Sequence, residues 1–256
     1  PNEEGIKTEL ANLQKIDLSG PIIDVSKVLE NIEKAKKDEH IKGVLFVVDS
    51  PGGAVAPSVE VAYAIKELSS VKPVVTYASG VIASGSYYAS IWSNKIIANP
   101  GSIVGSIGVI MQGFEAGQLL EKIGINAQTV KAGKYKESGT PTRKWTDFEE
   151  KQLQSVINDT YNMFISDVSS ARKLDVKNHT IYADAKIFTS KQAKEVGLVD
   201  EVATLNFAKD SLVELSKVQK PVWKKEDKFE KFMDKFMSEA ISKISIAFSN
   251  QLKAVL

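Results

Sequence analysis

Gly43-Val44-Leu45-Phe46-Val47-Val48 runs directly into Asp49-Ser50-Pro51-Gly52-Gly53, and this junction decides the fold. A short apolar, β-branched run without polar alternation reads as a strand buried on both faces. The turn formers that end it are followed by Val61, Ala62, Ile65 and Leu68 at helical spacing, then by a second buried strand from Pro73 to Tyr77. Upstream, Ile22 and Ile23 precede a charged helical stretch in which Leu29, Ile32 and Ala35 recur every three residues. Downstream, the alternation predicts strands at Ile96–Ala98, Ile107–Met111 and Ala127–Val130. Strands alternating with helices argue for an α/β domain with a largely parallel sheet.

The second half is more helical. Thr146-Asp147-Phe148-Glu149 has the form of a capping box, and Leu153, Val156, Ile157, Phe164 and Val168 carry a helical stripe behind it. Thr189 to Val196 predicts a short helix stopped by Gly197, with Leu198 and Val199 after it. Pro221 marks a boundary, giving a domain at 1–220 and an extension at 221–256. In that extension Phe229, Phe232, Phe236, Met237, Ala240 and Ile244 fall at spacings of three and four, which predicts an amphipathic C-terminal helix. Its apolar stripe is expected to meet a neighbouring subunit or a membrane surface.

Composition narrows the chemistry. The 256 residues suffice for a sizeable core, and 43% hydrophobic with 25% charged residues excludes wholesale disorder. A net charge of +1 gives no electrostatic footprint for nucleic acid. The absence of cysteine removes disulfides and thiolate catalysis, and two well-separated histidines, His40 and His179, exclude a multi-histidine metal centre. Neither a metal nor a cofactor is expected. No apolar run has the length of a membrane span, and the chain opens on Pro1, so the reading expects a trimmed piece whose missing N-terminal part held an anchor.

Three segments stand out. Asp49 to Gly53 closes a predicted strand at the end where parallel α/β sheets meet ligands, and paired glycines let backbone N–H groups approach one; a plain turn is the alternative. Ser84, in Ala83-Ser84-Gly85-Ser86-Tyr87-Tyr88, falls between a buried strand and a helix start, where a hydroxyl is accessible and developing negative charge is favoured; a simple cap is the alternative. Lys131, Lys134 and Lys136 crowd one loop, which by itself reads as a solvated surface. A serine nucleophile needs a base. His40 and His179 both sit in polar loop sequence, so lysine is the better candidate, a known variant of the catalytic triad.

Taken in order, Ser50-Pro51-Gly52-Gly53, Ala83 to Tyr88, Gly105-Ser106-Ile107-Gly108-Val109-Ile110 and Gly133-Lys134-Tyr135-Lys136-Glu137-Ser138-Gly139 resemble the signal peptide peptidase A family in its short, single-repeat form. Ala185 to Ala193 and Gly197 to Glu201 resemble that family's closing segment, so the likeness covers roughly 15–205. The resemblance implies a Clp protease/crotonase-like fold of repeated ββα units and a membrane-anchored serine peptidase with its catalytic domain outside the cytoplasm. It assigns Ser84 as nucleophile, Lys136 as general base, Ser106 as the hydroxyl orienting that lysine, and Gly53 with Gly85 as the oxyanion hole. Asp49 stands where relatives often carry asparagine, which bears on charge near the hole. The implied substrates are remnant signal peptides and other unfolded apolar peptides. The implied assembly is a homo-oligomer, an octamer being the first expectation. Rival readings are a membrane-bound Ser–Lys protease acting on stomatin-like proteins and a crotonase-type acyl-CoA enzyme. For Lys136 to act as base, the reading expects it buried among apolar neighbours, since a free lysine is protonated at neutral pH.

Overall fold

A computed structural model describes residues 10–225. Its centre is a sheet in the order β1 (Leu13–Ser19), β2 (Gly43–Ser50), β3 (Val74–Ala83), β4 (Lys95–Ala98) and β7 (Glu201–Val202), all neighbours parallel. β5 (Ile103–Gly105) adds in parallel to the far end of β3, and β6 (Ile187–Thr189) pairs antiparallel with β5. The connections are α1 (Ser26–Lys37), α2 (Val55–Val71), α3 (Gly85–Ser90), α4 (Gly117–Lys122), α5 (Asp147–Arg172), α6 (Ser190–Glu195) and α7 (Leu205–Ser216).

The unbroken apolar run of β2 is explained by cover on both faces. Val44, Phe46 and Val48 point into a core shared with Ile32 of α1 and with Val61 and Ile65 of α2. Leu45, one residue out of phase, points the other way, against Ala208 and Leu212 of α7. Strand periodicity therefore survives as alternation between two cores rather than between core and water.

β3 is longer than the sequence predicts, and the excess matters. Beyond Ala78 it leaves β4 and pairs with β5, while its register against β2 shifts between Val48 and Ser50. The irregularity is held by Asp49, whose Oδ1 accepts from the Val81 amide at 2.8 Å. Asp49 thus shapes the strand end that delivers Ser84, a use that the sequence reading did not foresee.

α5 is stapled to the sheet at its C-terminal end. The Arg172 guanidinium, nearly buried, reaches Asp200 with Nη2 to Oδ1 at 2.7 Å, and Asp200 Oδ2 accepts from the Ile96 amide at 2.7 Å.

Several sequence expectations are corrected. Leu13–Ser19 is a strand the reading missed. Ile107–Met111 and Ala127–Val130 are not strands. Ser106, at φ 50°, turns the chain out of the sheet, so Gly108 to Ile110 line a pocket instead of pairing. Ala127–Val130 is exposed throughout and pairs with no strand among the described residues. The chain after Pro221 runs beside β1: the Asn12 and Leu13 amides donate to the Val222 carbonyl at 2.8 and 3.1 Å, and the Lys224 amide donates to Leu13. The amphipathic helix expected beyond it lies outside the described residues. Among the described residues no helix is long and apolar enough to cross a membrane.

Candidate active site

β3 ends where α3 begins, and Ser84 is the residue between them. Its backbone sits at φ 54°, ψ −124°, a left-handed region that a non-glycine residue enters only under strain. A serine on a strained strand-to-helix turn is held outward rather than folded against its own helix. Ser84 makes no side-chain cap bond, so the cap alternative is not what its hydroxyl does. Ser86 does the local work instead. Its Oγ accepts from the Ala83 amide at 2.9 Å and lies 2.6 Å from the Ser50 carbonyl, to which it donates. The turn bearing Ser84 is thereby tied to the Gly52-Gly53 turn.

The Gly-Gly turn is fixed from the other side by Ile22. The Ile22 amide donates to the Gly52 carbonyl at 2.9 Å, and the Ala54 amide donates to the Ile22 carbonyl at 2.8 Å. A Cβ on Gly53 would fall 2.2 Å from the Ile22 carbonyl oxygen, so glycine alone allows this close pass. The Gly53 amide nitrogen would lie 3.3 Å from a Cβ on Gly85, so the two glycines are close neighbours. Neither N–H donates to any acceptor among the described residues. Gly85 is buried, and a buried amide is seldom left without an acceptor, whereas Gly53 is exposed and its amide is open to a ligand. Beside one strained serine the two can receive a negatively charged oxygen.

A pocket of about 100 Å³ opens at this point, with Ser84, Gly53 and Gly85 on its polar edge. Its walls are apolar: Val55 and Val59 of α2, Tyr88 of α3, Val109, and Met163 and Phe164 of α5. Tyr88 packs edge-on against Phe164 with ring centroids 4.8 Å apart, and its hydroxyl donates to Asp167. Burial, reinforced by that carboxylate, pushes the Tyr88 phenol well above its ordinary value, so it stays a neutral wall. Ser50, Ser86 and Tyr88 are contributors that the sequence reading quoted without assigning a role.

The remaining candidates are placed differently. Ser106 follows Gly105, whose carbonyl accepts from the Ser84 amide at 2.8 Å, so it stands close in the chain's path, half-buried and with no side-chain hydrogen bond among the described residues. Lys136 lies on a turn, Lys131 to Gly139, and is exposed; no hydrogen bond joins it to Ser84, and it does not line the pocket. The expected burial of this lysine is therefore not met within the single chain. Its neighbours are engaged: Lys131 pairs with Glu137, and Lys134 sits 4.4 Å from the Phe148 ring centre. The Lys136 side chain alone of the three has no partner among the described residues. His40 is exposed; His179 is half-buried against Tyr161, and neither lines the pocket. Among the described residues no cluster of three or more acids or histidines is arranged to hold a metal ion.

This geometry can take up a carbonyl group, present a hydroxyl to it and hold the oxyanion that results. Comparison with known proteins places the chain among proteases. The model of peptidase family S49 matches residues 66–219. The Methanocaldococcus jannaschii protein "Putative protease MJ0651" is 43% identical over 77% of this chain and 64% of its own length. The Enterococcus faecium "Putative signal peptide peptidase SppA" is 34% identical over 82% of this chain and 64% of its own. "Serine protease SPPA, chloroplastic" of Arabidopsis thaliana is 32% identical over 74% of this chain and 28% of its own. The chain thus spans less than two thirds of the length of these relatives. A solved structure of a mutant of the 1510-N membrane-bound stomatin-specific protease, 15% identical, superposes with TM-score 0.53 over 77% of this chain and 82% of that one, and shares the Clp protease-like α/β fold. The chain belongs to peptidase family S49, among the signal peptide peptidase A proteins.

Proposed function

We propose that this protease is a serine endopeptidase of the Ser–Lys type, with Ser84 as nucleophile, Lys136 as general base, Ser106 orienting the lysine, and the Gly53 and Gly85 amides as oxyanion hole. The observation that carries the reading is the strained Ser84 turn beside the buried, unpaired Gly85 amide and the exposed Gly53 amide. Neutral Lys136 takes the Ser84 proton as Oγ bonds to the peptide carbonyl carbon. The oxyanion is held by the two amides until the C–N bond breaks, the lysine returning its proton to the leaving amine. Water then gives a proton to the lysine and attacks the acyl-serine, and Ser84 recovers its proton as the ester bond breaks.

Within one chain Lys136, held on its turn, does not line the Ser84 pocket, so the two must be brought together for this to occur. The segment that precedes its turn exposes Ile110, Phe114, Leu119, Ile123 and Val130, a surface suited to docking. We infer that such docking, in a homo-oligomer with an octamer as the first expectation, completes the dyad and withdraws the lysine from water. The apolar pocket suits unfolded apolar peptides, remnant signal peptides foremost, bound at a membrane on the extracytoplasmic side by an anchor outside these residues.

Cleavage assays on a remnant signal peptide and on a stomatin-like peptide, each with a Ser84→Ala control, test the reading. Serine-dependent cutting of the signal peptide supports it; preferential cutting of the stomatin-like peptide favours the alternative protease. Coenzyme A binding without any peptide cleavage favours the acyl-CoA enzyme.

A further inference from the structure

We propose that Arg143 is a positioning residue for Lys136: its forked pair with buried Glu149 and its bond to Glu137 fix the lysine-bearing turn to the first turn of α5. This rests on reading Lys136 as the base. A base on an exposed turn without strand or long helix has to be held by something, because a misplacement of about 1 Å can cost ~100-fold in rate.

The anchor is Glu149. Its side chain is fully buried and is pinned by the capping box: Oε2 accepts from the Thr146 amide and the Thr146 hydroxyl, each at 2.9 Å. Arg143 then binds both carboxylate oxygens, Nη1 to Oε2 and Nη2 to Oε1, each at 2.9 Å. The same Nη2 reaches Glu137 Oε2 at 3.2 Å, and Glu137 is the residue after Lys136. A planar fork meeting a carboxylate on two points fixes direction as well as distance, which a lysine at 143 could not do. Tyr135, on the other side of Lys136, packs edge-on against Phe148 of the same helical turn, with centroids 5.4 Å apart. Lys136 is thus gripped on both flanks by α5, whose Met163 and Phe164 wall the Ser84 pocket further along. One helix carries both the pocket wall and the mounting of the base.

The test is the rate at which a fluorophosphonate labels Ser84 in full-length wild type, Arg143→Met, Lys136→Ala and the double variant. Arg143→Met should slow labelling ~10–100-fold and lower kcat on a peptide by a similar factor with KM changed less than ~3-fold. In the Lys136→Ala background it should change nothing further, because its effect passes through the lysine. Arg143→Lys should recover part of the loss, and Glu149→Gln, which keeps the capping box, should reproduce it. Wild-type labelling by Arg143→Met, or an equal loss in both backgrounds, overturns the proposal. Wild-type labelling by Lys136→Ala instead removes the base reading beneath it.

Discussion

A Cβ on Gly52 would lie 2.6 Å from the amide nitrogen of Gly85, so the first glycine of one turn packs directly under the first residue of α3. The same Cβ would meet the Ser84 Cβ at 2.8 Å, and Gly52 itself sits at φ 92°. The two turns that supply hydroxyl and amides are therefore in backbone contact. Gly52→Ala must push them apart, and it is expected to lower kcat by ~10²–10³, the range for losing one oxyanion donor. Steady-state kinetics with circular dichroism checks this: a folded variant with wild-type kcat would show that the contact is dispensable.

Ser84 carries its strain at some cost to the fold. A residue held at φ 54°, ψ −124° costs ~1–3 kcal/mol, which glycine largely avoids, less ~0.5–1 kcal/mol for glycine's greater freedom in the unfolded chain. Ser84→Gly should thus be inactive yet more stable by about 1 kcal/mol, raising Tm by ~2–4 °C, while Ser84→Ala stays near wild type. Calorimetry of the three proteins decides it; Ser84→Gly melting below Ser84→Ala would mean that the turn is not strained.

Arg172 and Asp200 close the other end of α5. Removing the guanidinium leaves Asp200 with the Ile96 amide as its hydrogen-bond donor. Breaking a fully buried pair costs ~3–5 kcal/mol, but Asp200 is 35% exposed and is partly rescued by water, so Arg172→Met is expected to cost about 2 kcal/mol. Urea unfolding measures it, and an unchanged midpoint would contradict the staple.

The clamp on the lysine turn should be acid-resistant. Hydrogen bonds from Lys131, Thr129 and Arg143 hold Glu137 at about 2, and bonds from Arg143 and Thr146 hold Glu149 at about 2, against an ordinary 4.5. A carboxylate lowered on folding contributes stability above its unfolded pKa and loses it as pH falls through the folded one. The turn should stay docked at pH 5 and release between ~4.5 and ~2. Carboxyl NMR titration of the two glutamates follows this, and midpoints near 4.5 in the folded protein would contradict it.

What was legible in the sequence followed from local chemistry. The β2 run, the α2 stripe and the capping box at Thr146 declare themselves because burial and capping need particular residues at particular spacings. The Ser84 and Gly52–Gly53 segments stood out by the same kind of chemistry, Gly85 only through the family resemblance, and Ser84, Gly53 and Gly85 line one pocket. Apolar content misled at Ile107–Met111, where Ile107 joins the core and Val109 and Ile110 line a pocket, and at Ala127–Val130, which is exposed. Neither sheet membership nor exposure is written in apolarity alone. The role of Asp49 in the irregular end of β3 and the Arg143–Glu149 clamp join residues whose side chains meet only once the strands and helices are placed. Lys136 was legible as a candidate, but its exposure on the Lys131–Gly139 turn was not, because burial depends on what packs over a loop and not on spacing within it.

The most direct measurement is mass spectrometry of the protein after reaction with a fluorophosphonate, followed by peptide mapping. A single adduct on Ser84, absent from Ser84→Ala and much slower to form in Lys136→Ala, is the expected result. An adduct on another serine, or an unmodified Ser84 in a preparation that still cuts peptides, would contradict the assignment of Ser84 as the nucleophile.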